Sequence, residues 1–128
     1  MRRLTVYLWS EEYSVAKFPA NQAVPSWLFE RDGFISVTRT PEEVSVICPT
    51  ALAPRGESTS NGWRLLTVRG PLDFTLTGVM ASLAGSLAAA GVPLFAMSTY
   101  DTDHILVKHT DLDRAVIALR EAGHDLQN

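Results

Sequence analysis

A chain of 128 residues, 46% hydrophobic and 20% charged, has the composition of an ordinary globular protein, with room for one well-buried domain or two very small modules sharing a core. Eleven basic against fourteen acidic residues leave a formal charge of −3 with no run of either sign, and the aromatics are not interleaved with Lys and Arg. That pattern argues against a nucleic-acid surface.

In the first segment Arg2 and Arg3 precede a short apolar run that ends at Ser10-Glu11-Glu12, too short for a secretory signal. Leu4, Val6 and Leu8 alternate with Thr5, Tyr7 and Trp9, which is the period of a half-buried strand over residues 4–9. Residues 13–18 read as a second strand, residues 19–21 as a break, and Pro25 as the first turn of a short helix over 25–29. Two β-branched runs, 34–40 and 44–48, flank Pro41-Glu42-Glu43 and predict a hairpin. Cys48 ends the second run as a buried, inert thiol; as the single cysteine it forms no internal disulfide, which agrees with a reducing, cytoplasmic location. Residues 49–62 carry two prolines and two glycines without periodicity and read as a connector. The expected module boundary lies near Ser60, dividing residues 1–60 from 61–128.

The second half opens with a strand over 63–69 that stops at Gly70-Pro71. Between Gly78 and Ala90, the residues Val79, Met80, Leu83, Leu87 and Ala90 make one apolar helical stripe among many small residues, and Gly91 ends the helix. Strands over 92–98 and 104–108 follow, joined by the polar residues 99–103 in an antiparallel hairpin. Thr110, with Asp113 three residues on, is the expected cap of a last helix whose apolar face is Leu112, Ala115, Val116 and Leu119 and whose stop is Gly123. The fold class is therefore α+β. Two ferredoxin-like modules are expected, the second reading β-α-β-β-α without its closing strand and the first abbreviated to β-α-β-β, with helices on one face of an antiparallel sheet. No stretch is long and apolar enough to span a bilayer, so no membrane partner is expected.

The turn over 70–78 leads into a helix whose first amides lack intrahelical partners and carry partial positive charge, a place for an α-carboxylate. Gly78 allows close approach to the backbone, Thr75 or Thr77 is available to cap the helix or offer a hydroxyl, and Asp103, ahead of Asp73 and Asp101, is placed to hold an ammonium group. Asp101 and Asp103 equally suit a turn through their own backbone contacts, and a glycine before a helix is common. His104, His109 and His124 have no metal-ligand spacing and are assigned to the surface or strand edges; no metal or cofactor is expected. Trp27 and Trp63 read as core or interface aromatics. No nucleophile and base are paired in the sequence, so a catalyst of isomerase or hydrolase type is the weakest of the readings.

Several segments resemble ACT domains of the CASTOR type, the family of the cytosolic arginine sensors and many short bacterial proteins. They are Trp63-Arg64-Leu65-Leu66-Thr67-Val68, Gly70-Pro71-Leu72-Asp73-Phe74, Thr77-Gly78-Val79 and, most specific, Ser98-Thr99-Tyr100-Asp101-Thr102-Asp103-His104-Ile105-Leu106-Val107. In the first half, residues 36–47 resemble the matching segment of the same short proteins. The resemblance implies a regulatory module, not an enzyme, that binds an amino acid or similar metabolite and has ACT-type βαββαβ folds. It also implies a homodimer and an output passed to an unidentified protein. The implied ligand residues are Asp73, Phe74, Leu76, Gly78 and Val79 in the turn and Thr99, Tyr100 and Asp103 in the hairpin. Leu76 stands where the arginine sensors have an acidic side chain, which counts against arginine itself as the ligand. The competing reading is a dimerisation or protein-interaction module with a vestigial pocket.

Overall fold

Alternating and helical patterns become seven strands and two α-helices over residues 3–55, 58–73 and 75–128, which a computed structural model describes. In chain order they are β1 (Thr5–Pro19), β2 (Ser36–Arg39), β3 (Glu43–Pro49), β4 (Thr59–Val68), α1 (Val79–Ala89), β5 (Leu94–Ser98), β6 (Asp103–Lys108), α2 (Leu112–Glu121) and β7 (Asp125–Gln127). The mixed α+β class follows directly. Two compact units form, one from Met1–Ser10 with Trp63–Asn128, the other from Glu11–Gly62. The part of β1 up to Ser10 thus belongs with the C-terminal residues and the part from Glu11 with the smaller unit, where the sequence reading drew one boundary near Ser60. Among the described residues no helix is long and apolar enough to cross a membrane.

In the larger unit the strands run β7-β1-β4-β6-β5. β4 pairs antiparallel with β6 from Trp63↔Lys108 to Thr67↔His104, and β5 pairs antiparallel with β6 from Leu94↔Val107 to Ser98↔Asp103. From β4 onward the order is β-α-β-β-α-β, so the closing strand missing from the sequence reading is present as β7. It is parallel to β1, matching Thr5 with Asp125 and Tyr7 with Gln127. Three residues with one apolar member carry no strand period; this strand exists because β1 offers an edge to pair with. The His124 ring, 4% exposed, secures the junction by accepting a hydrogen bond from the Leu4 N–H at Nδ1, 3.1 Å.

One face of that sheet is covered by both helices. Leu4 and Val6 of β1, Leu66 and Val68 of β4, and Ile105 and Val107 of β6 pack with Leu83 and Leu87 of α1 and Ala115 and Leu119 of α2. Each leucine so buried contributes on the order of 1.5–3 kcal/mol. Gly91 closes α1 in the left-handed conformation, φ 73°, while the Val92 N–H bonds back to the Leu87 carbonyl at 2.9 Å, as a helix-ending glycine does. The expected cap of α2 is different: Asp111 holds that position after a 3-10 turn over His109–Asp111, with no side-chain capping bond, and its carboxylate pairs with Arg114. Thr110 is consumed by that extra turn, which places the helix start one residue later.

The smaller unit has β3 between β2 and the second part of β1, with Tyr13↔Pro49 to Pro19↔Glu43 and Ser36↔Ile47 to Arg39↔Val44 in register. Its hairpin closes by a 2.8 Å bond from the Thr40 N–H to the Glu43 carbonyl, and the Thr40 hydroxyl accepts from the N–H groups of Glu42 and Glu43. Leu28, Val44, Val46 and Cys48 form its core. Its helical elements are 3-10 turns over Ser26–Phe29 and Thr50–Leu52, so among the described residues this unit has no α-helix. Two further expectations change. β1 is one strand where two were read, because Glu11 and Glu12 leave the backbone ladder intact. β4 begins at Thr59, inside the segment read as a connector.

Candidate functional site

The Gly70–Leu72 turn and the β5–β6 hairpin are far apart in sequence and clasped together in the fold. The Leu72 N–H donates to the Asp101 carbonyl at 2.6 Å, and the Thr102 hydroxyl donates to the Val68 carbonyl at 2.6 Å. Gly70 permits this approach: a Cβ there would stand 2.9 Å from the Asp101 carbonyl oxygen and 3.1 Å from Thr102 Cβ. The peptide preceding Pro71 is cis. The hairpin itself closes with the Thr99 N–H on the Thr102 carbonyl, 2.9 Å.

Between turn and hairpin lies an open hollow of about 220 Å³, lined by Leu72, Asp73, Leu76 and Val79 on one side and Ser98, Thr99, Tyr100, Asp101, Thr102 and Asp103 on the other. It is smaller than the roughly 300–1,000 Å³ of pockets for drug-sized ligands. The structure therefore brings together Asp73, Leu76, Val79, Thr99, Tyr100 and Asp103. Gly78 is not in the lining; it is the N-cap of α1, left-handed at φ 80°, between Leu76 and Val79. Phe74 lies outside the described residues.

Three carboxylates surround the hollow and none of its described lining residues is basic. The Thr75 N–H and hydroxyl both donate to Asp73 Oδ1 at 2.8 Å and hold that carboxyl below its usual range. Thr75 is thereby committed to Asp73, and α1 has no side-chain cap, so neither Thr75 nor Thr77 caps it. Asp103 Oδ1 accepts from the Ser98 hydroxyl at 2.5 Å. A carboxylate has about four lone-pair sites, so this bond orients Asp103 and leaves capacity for a further donor. Tyr100 is 80% exposed at the rim. Among the described residues no three His, Cys, Asp or Glu side chains are grouped to hold a metal ion.

The sequence reading missed Leu72, Ser98 and Thr102 as wall residues. Hairpin register was the available signal for Ser98, which is the cross-strand partner of Asp103. It also misplaced two histidines. His104 is 6% and His124 4% exposed, and burial lowers the pKa of both, with Asp103 acting in the opposite sense on His104. Cys48 is fully buried, and burial raises its thiol pKa. Trp63 is buried, edge-on to Phe95 with Lys108 Nζ over its ring, whereas Trp27 is 38% exposed.

A fold of two helices on one face of a sheet, with a hollow at the turn into the first helix, defines a class, and the sequence comparisons agree. A family model for the ACT domain matches residues 58–121, half of the chain, and a model for an N-terminal domain matches residues 11–55. The chain belongs to the ACT-domain family.

Among individual proteins it is similar to the rat protein named cytosolic arginine sensor for mTORC1 subunit 1. The two are 29% identical over 110 residues, covering 84% of this chain and 33% of that protein. The human protein of the same name is 30% identical over 96 residues, 74% of this chain and 29% of that one. This chain thus spans about a third of the length of these curated relatives. A crystal structure of a protein from Agobacterium tumefaciens is 33% identical, with a TM-score of 0.90 over 98% of this chain and 93% of that one. The ligand-free regulatory subunit of aspartate kinase from Thermus thermophilus shares the fold, with a TM-score of 0.66 at 12% identity over 95% of this chain and 99% of that one.

Proposed function

We propose that this protein is an amino-acid-binding regulatory module with no catalytic activity of its own. The observation that carries the reading is the convergence of two distant segments, 72–79 and 98–103, on one acid-lined hollow at the start of α1. Asp103, positioned by Ser98, receives the ligand ammonium group; the uncapped first-turn amides of α1, entered through Gly78, face its carboxylate; Leu76 and Val79 contact its side chain. Asp73, Thr99 and Tyr100 complete the wall, and Phe74, next to Asp73 in the sequence, is kept among the proposed ligand residues on the resemblance alone. Residues 61–128 with the part of β1 up to Ser10 act as the ACT module, and residues 11–60 as its abbreviated companion. The names of relatives, an arginine sensor and a regulatory subunit, support the class of ligand without fixing which amino acid. In this reading the protein acts in the cytoplasm and signals to a regulated protein partner.

A second reading, a dimerisation module, is favoured by a specific surface. β5 is the edge strand of its sheet and carries no charge, and the exposed face of α1 presents Ala81, Gly85, Ala88 and Ala89. We take a homodimer as part of the proposal, and light scattering across a concentration series measures it. The two readings part on ligand binding. A thermal-shift screen of the twenty amino acids on protein freed of copurified ligand should show a selective rise, about 2.7 kcal/mol of stabilisation at a hundredfold excess over Kd. Asp103→Asn should abolish it. A flat screen would leave dimerisation as the function.

A further inference from the structure

The hairpin wall of the hollow is tied to the sheet face opposite the helices by one unbroken series of side-chain hydrogen bonds. Trp9 Nε1 donates to Thr67 Oγ1 at 2.9 Å; Thr67 Oγ1 lies 2.8 Å from His104 Nδ1; His104 Nε2 lies 2.9 Å from Thr99 Oγ1. The Thr99 hydroxyl ends the series on the Thr102 carbonyl, 3.3 Å. Both ends have a fixed polarity. The indole N–H can only donate and the carbonyl can only accept, and each hydroxyl has one proton, so all four contacts are hydrogen bonds at once only when Thr67 donates to the imidazole and Thr99 donates to the Thr102 carbonyl. The Thr67 proton then goes to Nδ1, and the imidazole carries its own proton on Nε2 and donates to Thr99. The opposite tautomer would leave the Thr67 proton without the imidazole as acceptor and draw the Thr99 proton from the Thr102 carbonyl to Nε2, one bond fewer in the series. Burial lowers the pKa of this ring and so favours the neutral form that the series requires, with Asp103 acting in the opposite sense.

We infer that His104 is a positioning residue: held as the Nε2–H tautomer by Trp9 and Thr67, its imidazole fixes the Thr99 hydroxyl and thereby sets the hairpin wall of the hollow. The consequence for binding rests on the amino-acid reading above; the positioning itself does not. Thr99 is the joint because it faces both ways, its N–H and hydroxyl closing the hairpin on Thr102 and its oxygen receiving the imidazole. A hairpin fixed in advance spares a ligand the cost of ordering it.

The test uses the ¹⁵N-labelled full chain. Long-range ¹H–¹⁵N correlation spectra should show His104 as the Nε2–H tautomer, and hydrogen exchange should be followed at the Thr99 and Leu72 amides, whose bonds close and clasp the hairpin. In His104→Phe and in Thr67→Val, these amides should exchange about tenfold faster relative to the Ala122 amide at the end of α2. In His104→Gln, which restores a donor near the Nε2 position, exchange should return to within about twofold of the parent. Thr67→Val keeps the side-chain volume and decides the matter if His104→Phe does not fold. An Nδ1–H tautomer, or unchanged exchange in Thr67→Val, overturns the inference. If the amino-acid screen is flat while tautomer and exchange behave as stated, the ligand reading fails and the positioning role of His104 stands.

Discussion

Replacing Gly70 with alanine tests whether the clasp between turn and hairpin shapes the hollow. The new Cβ would lie 2.9 Å from the Asp101 carbonyl oxygen, closer than real Cβ contacts, and a tight 3.1 Å from Thr102 Cβ, and neither is the free end of a flexible side chain. The hairpin must retreat, and the bonds it would stretch are the 2.6 Å contacts from Leu72 N–H to Asp101 and from the Thr102 hydroxyl to Val68. Overpacking of this kind costs about 1–3 kcal/mol. One weakened hydrogen bond adds about 0.5–1.5 kcal/mol. The smaller entropy of an alanine-containing unfolded chain returns about 0.4–1 kcal/mol. The net loss is about 2 kcal/mol, which for a chain of this size lowers the thermal midpoint by about 5–10 °C. Gly85→Ala is the control, because a Cβ there meets nothing within 4 Å and its position in α1 favours alanine by about 0.5–1 kcal/mol. Differential scanning calorimetry of the two variants should therefore move the midpoint in opposite directions. A Gly70→Ala protein melting within about 1 °C of the parent would refute the close-approach reasoning.

Stability should fall as pH drops below the unfolded histidine pKa of about 6.5. His104 and His124 are depressed in the folded state by burial, so on acidification the unfolded chain takes up protons first and is favoured, until the folded pKa values are passed. Urea denaturation at pH 8, 7, 6 and 5 measures the slope. His124→Asn, which keeps an acceptor for the Leu4 N–H, should flatten it; an unchanged slope would remove His124 as a cause. Cys48 should react with a thiol reagent only as fast as the smaller unit opens, and within seconds in denaturant, because it is fully buried and its pKa is raised. Rapid native labelling would show that unit to be open in solution.

Much of the candidate site was legible because it lies in two short, locally encoded segments. Glycine and proline mark the turn, polar residues mark the hairpin, and the resemblance joined the two; Asp73, Leu76, Val79, Thr99, Tyr100 and Asp103 then meet around one hollow. Ser98 went unread because its importance comes from standing opposite Asp103, a property of register. His104 was assigned to the surface or a strand edge because a lone histidine beside an aspartate has no local sign of burial; its partners Thr67 and Thr99 come from different strands and turns.

The sequence by itself determined the class, the order of elements from β4 to α2, the apolar stripe of α1 and the glycine stops at Gly91 and Gly123. These depend on periodicity and on backbone preferences that act within a few residues. Tertiary structure decided the membership of the first part of β1, up to Ser10, in the C-terminal unit, the existence of β7 and the hydrogen-bond series through His104. Each of these depends on which distant segment supplies a partner. A three-residue strand or a buried imidazole is stable only once that partner is in place.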